Sequence, residues 1–118
     1  MRFGQKLRSD ADYFNSEVAL NEMHRAGVSD TATTSSVSDS ASSVTLLSAN
    51  VDRVGFFIFN DSTEIAYVKF GATASSTDFT IRLTPNGIYE SGVPVYRGRI
   101  DCIWASNAAG SMRITEMS

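Results

Sequence analysis

Val54-Gly55-Phe56-Phe57-Ile58-Phe59-Asn60, followed after a polar break by Ile65-Ala66-Tyr67-Val68-Lys69-Phe70-Gly71, decides the fold class of this chain. The first run is too short for a helix and apolar at consecutive positions, the mark of a strand covered on both faces and therefore central in its sheet. Asn60-Asp61-Ser62-Thr63 between the two runs reads as turn chemistry. In the second run Tyr67 has the opposite parity to Val68, which places it on the outer face.

The same grammar continues to the C-terminus. Phe79, Ile81 and Leu83 alternate with Thr80 and Arg82 as a half-buried strand, and Pro85-Asn86-Gly87 is a turn. Ile88-Tyr89-Glu90 is a short strand closed by Ser91-Gly92, and Pro94 marks an edge or loop. Arg99 to Trp104 forms another strand, with Ile100, Cys102 and Trp104 on one core-facing side. Asn107 to Gly110 turns the chain into a last strand, Ser111 to Glu116. With Val44-Thr45-Leu46-Leu47 at the start, about seven short strands predict an antiparallel β-sandwich or small barrel over residues 44–118.

Upstream the pattern changes twice. Ten of the sixteen residues from Val28 to Ser43 are Ser or Thr, and none is Pro or Gly. So little apolar surface predicts an extended linker. Residues 1–27 predict a helix from about Ser9 to Ala26. Ser9 is its N-cap, Ala11, Phe14 and Val18 share one face, and Gly27 follows the last turn. The expected organisation is a helical arm (1–27), a Ser/Thr-rich linker (28–43) and a β-domain (44–118).

Chemistry is sparse. In 118 residues, ten Lys and Arg against thirteen Asp and Glu give a net charge of -3. That balance argues against nucleic acid or an anionic membrane as partner. No apolar run reaches the ~20 residues of a membrane-spanning helix, and the first residues lack the apolar core of a secretory signal. The single histidine, His24, sits in the last turn of the expected helix, where it caps better than it catalyses. The single cysteine, Cys102, reads as a buried small hydrophobe, consistent with synthesis in a reducing cytoplasm. One His and one Cys do not make a zinc site, and the scattered glycines form no phosphate loop. No catalytic residue, metal or cofactor is expected. Asn60-Asp61-Ser62 fits the N-glycosylation pattern but is read as a turn. Tyr96-Arg97-Gly98-Arg99 is the one local basic cluster, better suited to a protein interface than to stacking on bases.

The stretch from Ser42 to Glu116 resembles a small β-domain met among structural proteins of tailed bacteriophages and prophages. The likeness is carried by the order and spacing of several segments: Leu46-Leu47-Ser48-Ala49-Asn50, Arg53, Phe59-Asn60-Asp61-Ser62, Tyr67-Val68-Lys69-Phe70-Gly71 and Thr80-Ile81-Arg82-Leu83. Tyr89-Glu90, Val95 to Ile100, Ile103-Trp104-Ala105-Ser106 and Arg113-Ile114-Thr115-Glu116 complete it. The resemblance implies a virion component without enzymatic activity, made in the bacterial cytoplasm. A capsid decoration (cement) protein is the leading expectation, with the major capsid protein as partner and a homo-oligomer, a trimer by the same likeness, as its state. A neck, collar or tail component docking on portal or tail rings is the alternative. A carbohydrate-binding attachment module, using Tyr67, Tyr89, Tyr96 or Trp104, is the second. In the leading reading Phe14, Val18, Leu20 and Met23 anchor the arm to a neighbour or pack on the β-domain, while Arg53, Arg97 and Arg99 make polar contacts.

Overall fold

The structure is a computed structural model, and it describes residues 28–107 and 109–118. The expected helix of residues 9–26, with Phe14, Val18, Leu20 and Met23, lies outside the described residues. Among the described residues, eight strands form two antiparallel four-stranded sheets: β1 (Ala32–Ser38), β2 (Val44–Leu47), β3 (Gly55–Asp61), β4 (Ala66–Phe70), β5 (Ile81–Leu83), β6 (Ile88–Glu90), β7 (Ile100–Trp104) and β8 (Ser111–Met117). One sheet runs β1-β8-β3-β6 and the other β2-β7-β4-β5. Each connection crosses from one sheet to the other except β4–β5, a hairpin within the second. That interleaved order is the jelly roll, two Greek keys wrapped into a sandwich.

Strand identity follows from side-chain periodicity. In β3, Phe56, Ile58 and Asn60 point inward and are fully buried, whereas Phe57 and Phe59 are half-buried on the outer face. β3 lies between β8 and β6, which confirms its central place. Facing it across the sandwich, Ala66 and Val68 of β4 and Ile100, Cys102 and Trp104 of β7 are buried, and Met112 and Ile114 of β8 complete the core. An aromatic cluster ties the sheets together at one end. Phe56 and Tyr89 meet Phe70 with centroids 5.9 and 6.0 Å apart, and Tyr96 stacks on Phe70 at 5.0 Å. Such offset and edge contacts each add about 1 kcal/mol beyond area burial.

The Ser/Thr-rich segment is not a linker. Ala32–Ser38 is strand β1, paired with β8 over seven residues from Ala32↔Met117 to Ser38↔Ser111. Its side chains are exposed except for half-buried Val37, which packs against the core. An edge strand draws its place from the main-chain ladder, so it does not require alternating apolar residues. The absence of Pro and Gly and the β-branched Thr33 and Thr34 suit that role. The chain then crosses to the second sheet, where the Trp104 N–H donates to the Ser40 carbonyl at 2.9 Å.

Two local readings also change. β3 holds Asn60, as the first run predicts, and continues through Asp61, so only Ser62 and Thr63 of the expected four-residue turn lie outside the strand. Phe79 does not follow the inward parity of Ile81 and Leu83. Ahead of β5 the Thr80 N–H donates to the Val68 carbonyl, and the Thr80 hydroxyl accepts from the Phe70 N–H. Phe79 instead packs on Tyr67, ring centroids 5.0 Å apart. The expected Pro85-Asn86-Gly87 turn forms as type II, with the Gly87 N–H donating to Thr84 at 2.8 Å and Asn86 at φ 66°. A Cβ on Gly87 would lie 2.8 Å from the Thr84 carbonyl oxygen, so the turn needs glycine.

Candidate functional site

Most polar side chains that stand out in the sequence are absorbed by the fold. Arg53, two residues ahead of β3, has no exposed surface. Its Nε donates to Glu116 Oε2 at 2.7 Å, Nη1 to the carbonyls of Tyr96 (2.8 Å) and Gly98 (3.0 Å), and Nη2 to that of Ser48 (2.7 Å). Its guanidinium also sits 5.6 Å from the Phe56 ring centroid. The rigid donor fork of arginine can bind three carbonyls and a carboxylate at once, which lysine cannot. Arg53 thereby pins the β2–β3 and β6–β7 loops to β8, and it presents no atom to a partner.

Arg97 and Arg99 come from the β6–β7 loop and are exposed. Arg97 reaches back to the Arg53 carbonyl at 2.8 Å, so two of the three expected arginines adjoin. Arg99 grips Asp101 bidentately at 2.8 and 2.9 Å while its side chain stays half in solvent. The Asp101 carboxylate is buried and also accepts from the Thr45 hydroxyl (2.9 Å) and the Thr73 N–H (2.7 Å). Burial alone would raise its pKa, but the Arg99 pairing and these donors hold it below the ordinary aspartate value. The Tyr96 ring, stacked on Phe70, is turned into the protein rather than out for base stacking.

At the other end of the sandwich, Asn60 is the second polar hub. Its amide donates to the carbonyls of Glu64 (2.8 Å), Leu83 (3.0 Å) and Thr84 (3.2 Å). Its oxygen accepts from the Ser62 hydroxyl (2.8 Å) and Trp104 Nε1 (3.2 Å). A fully buried amide with five hydrogen bonds has no freedom to carry a glycan. Cys102 is buried, and desolvation pushes its thiol up to about 12, so it stays protonated and inert. Among the described residues no group of three His, Cys, Asp or Glu side chains converges on one point.

What the molecule offers outward is surface. On the second sheet, Ile103, Tyr67 and Arg82 form one row across β7, β4 and β5, with Phe79 against Tyr67. On the first, Phe59 is flanked by Arg113 and by Ile88, which is 64% exposed, and Phe57 by Thr115 and Glu90. Arg113 in turn pairs with Asp61 at 3.0 Å. A cleft of about 280 Å3 lies near the first described residue, lined by Val28, Val54, Val93, Val95 and Met117 among others. Of these surface residues, Tyr67 and Arg82 are outward-facing by the parity of the sequence, and the structure places both on the second sheet's outer face. The signal for the rest was the off-parity apolar residue in each strand, which marks an outer face as much as a central strand.

No known protein family, no characterised protein and no solved structure matches this chain.

Proposed function

We propose that this chain is a non-enzymatic structural component of a tailed-phage virion, acting as a capsid decoration protein that binds assembled shells. The single observation that carries the reading is how its polar chemistry is used. Arg53, Asp101 and Asn60 are committed to internal bonds, while apolar and aromatic side chains remain on both outer faces. That is the make-up of a rigid binding body rather than of a catalyst. The jelly-roll topology supports the reading by analogy of fold, since it recurs in viral shell proteins and also in lectins. The sequence likeness over residues 42–116 points the same way.

Mechanistically, many copies each making a modest contact add up to large collective stabilisation of a shell. Arg97 and Arg99 supply polar contacts at one end, and the Phe59–Ile88 and Tyr67–Phe79 faces supply apolar ones. Residues 1–27, with Phe14, Val18, Leu20 and Met23, act as an additional arm. Docking on a portal or tail ring uses the same surfaces with fewer copies. A glycan-binding reading is favoured by one observation, the outward Tyr67–Phe79 pair beside Arg82.

Co-sedimentation tests the proposal. Purified chain is mixed with shells of the phage or prophage that encodes it, and separately with isolated tails. Saturable binding to shells is expected, and it weakens when residues 1–27 are removed. Binding to neither, together with retention on a glycan array, would refute a virion role and favour the lectin-like reading.

A further inference from the structure

The strand edges of the two sheets are not alike. β5 and β6 are edges of three residues each, and β2 has four with a register break between Thr45 and Leu47. Short length and irregularity are the usual guards against edge-to-edge pairing. β1 has neither. It is seven residues long, in unbroken register with β8, and Ala-Thr-Thr-Ser-Ser-Val-Ser contains no charge and no proline.

The hydrogen-bond phase of β1 specifies what its open edge presents. The Ser118 N–H donates to the Thr31 carbonyl at 3.0 Å, and the Asp39 N–H donates to that of Gly110 at 3.1 Å. In an antiparallel pair the hydrogen-bonded residues alternate. Residues 31, 33, 35, 37 and 39 therefore point their main-chain groups at β8. Those of Ala32, Thr34, Ser36 and Ser38 point away from the sheet.

We infer that β1 is a homodimer interface, in which two copies of this chain pair their β1 strands antiparallel about a two-fold axis through Ser35. In that register Ala32 meets the partner copy's position 38 and Thr34 its position 36. All four outward-pointing residues of each strand thus enter hydrogen-bonded pairs, and the two β1–β8–β3–β6 sheets fuse into one of eight strands. Ser35 faces its own copy in a non-hydrogen-bonded pair, and Val37 lies opposite position 33 on the inner face. The strand is self-complementary because small neutral side chains oppose one another throughout. The acidic residues nearest to it, Asp30 and Asp39, lie beyond its two ends. A closed two-fold contact of this kind uses up the edge and does not propagate into fibres. The inference stands apart from the virion proposal and names a pair, not a trimer, as the unit.

The test uses the full chain and two variants. Sedimentation equilibrium is expected to give twice the 12.8 kDa chain mass at micromolar concentration. In Ser36→Pro the lost N–H is one that points away from β8. The variant is expected to keep the wild-type circular dichroism and to raise the dimer dissociation constant at least tenfold. In Ser35→Cys the two thiols meet in a non-hydrogen-bonded pair, where Cα atoms about 4.5 Å apart lie within disulfide range. Mild oxidation should cross-link it into a covalent dimer, while Thr34→Cys, offset by two residues from its copy, cross-links far less. The native Cys102 is buried and does not compete. A monomer or trimer for the wild type, or failure of folded Ser35→Cys to cross-link, would overturn the inference. So would stronger cross-linking of Thr34→Cys. A wild-type monomer whose β1 amides at 32, 34 and 36 are protected from exchange would show that the chain covers its own edge.

Discussion

β1 and β3 flank the same strand, β8, each over seven residues in unbroken antiparallel register, yet their compositions have nothing in common. β3 is Gly-Phe-Phe-Ile-Phe-Asn-Asp and supplies Phe56, Ile58 and Asn60 to the interior; β1 is Ala-Thr-Thr-Ser-Ser-Val-Ser and contributes half-buried Val37. The difference separates the two things that make a strand. Burial of side chains stabilises β3, at roughly 25 cal/mol per Å2 of apolar surface removed from water. Pairing of main-chain groups places β1, with little help from its side chains.

Five substitutions test that contrast and the polar contacts around it. The largest effect belongs to Ile58→Asp, which places an unpaired carboxylate in the core. It should abolish cooperative thermal unfolding, at a cost of more than about 4 kcal/mol. A melting curve like that of the wild type would show that β3 is not central. Asn60→Ala comes next, because it strands the Trp104 indole Nε1–H and frees the carbonyls of Glu64, Leu83 and Thr84 at once. A loss of about 3 kcal/mol is expected from urea unfolding.

On the β1 side, Ser35→Pro removes an N–H that points at β8 and should cost about 2 kcal/mol, whereas Ser36→Pro should leave the diluted monomer within about 0.5 kcal/mol of wild type. Equal effects of the two prolines would refute the hydrogen-bond phase of β1. The smallest effect is a pH dependence. The Asp101 carboxylate has a lowered pKa in the folded state, so its ionised form stabilises the fold above the unfolded value and that stabilisation is lost as pH falls through the folded one. The urea midpoint of the wild type should therefore decline below about pH 4, and Asp101→Asn should flatten that decline. An unchanged slope would mean that the carboxylate is not held by Arg99, Thr73 and Thr45.

The same contrast explains how far the sequence could be read. Seven of the eight strands were legible because residues such as Phe56, Ile58, Val68, Ile100, Cys102 and Trp104 mark the buried face at every second position, and Pro85-Asn86-Gly87 marks a turn. β1 was not, because its ladder with β8 leaves no trace in side-chain hydropathy. Phe79 departs from the face that alternation predicts because the irregularity at Thr80 breaks the parity between it and Ile81. Arg53 stood out as a cation, but only the convergence of Ser48, Tyr96, Gly98 and Glu116 makes it an internal clamp, and those partners are distant in sequence. Arg97 and Arg99 are exposed, the latter already paired with Asp101 of its own chain.

Beyond the fold, the proposed decoration role requires the protein to be present in large numbers on each particle. Quantitative mass spectrometry of purified particles, scaled to the major capsid protein, measures that directly. A decoration protein should be present in hundreds of copies per particle. Six or twelve copies would move it to the neck or tail, and its absence from particles would contradict a virion role altogether.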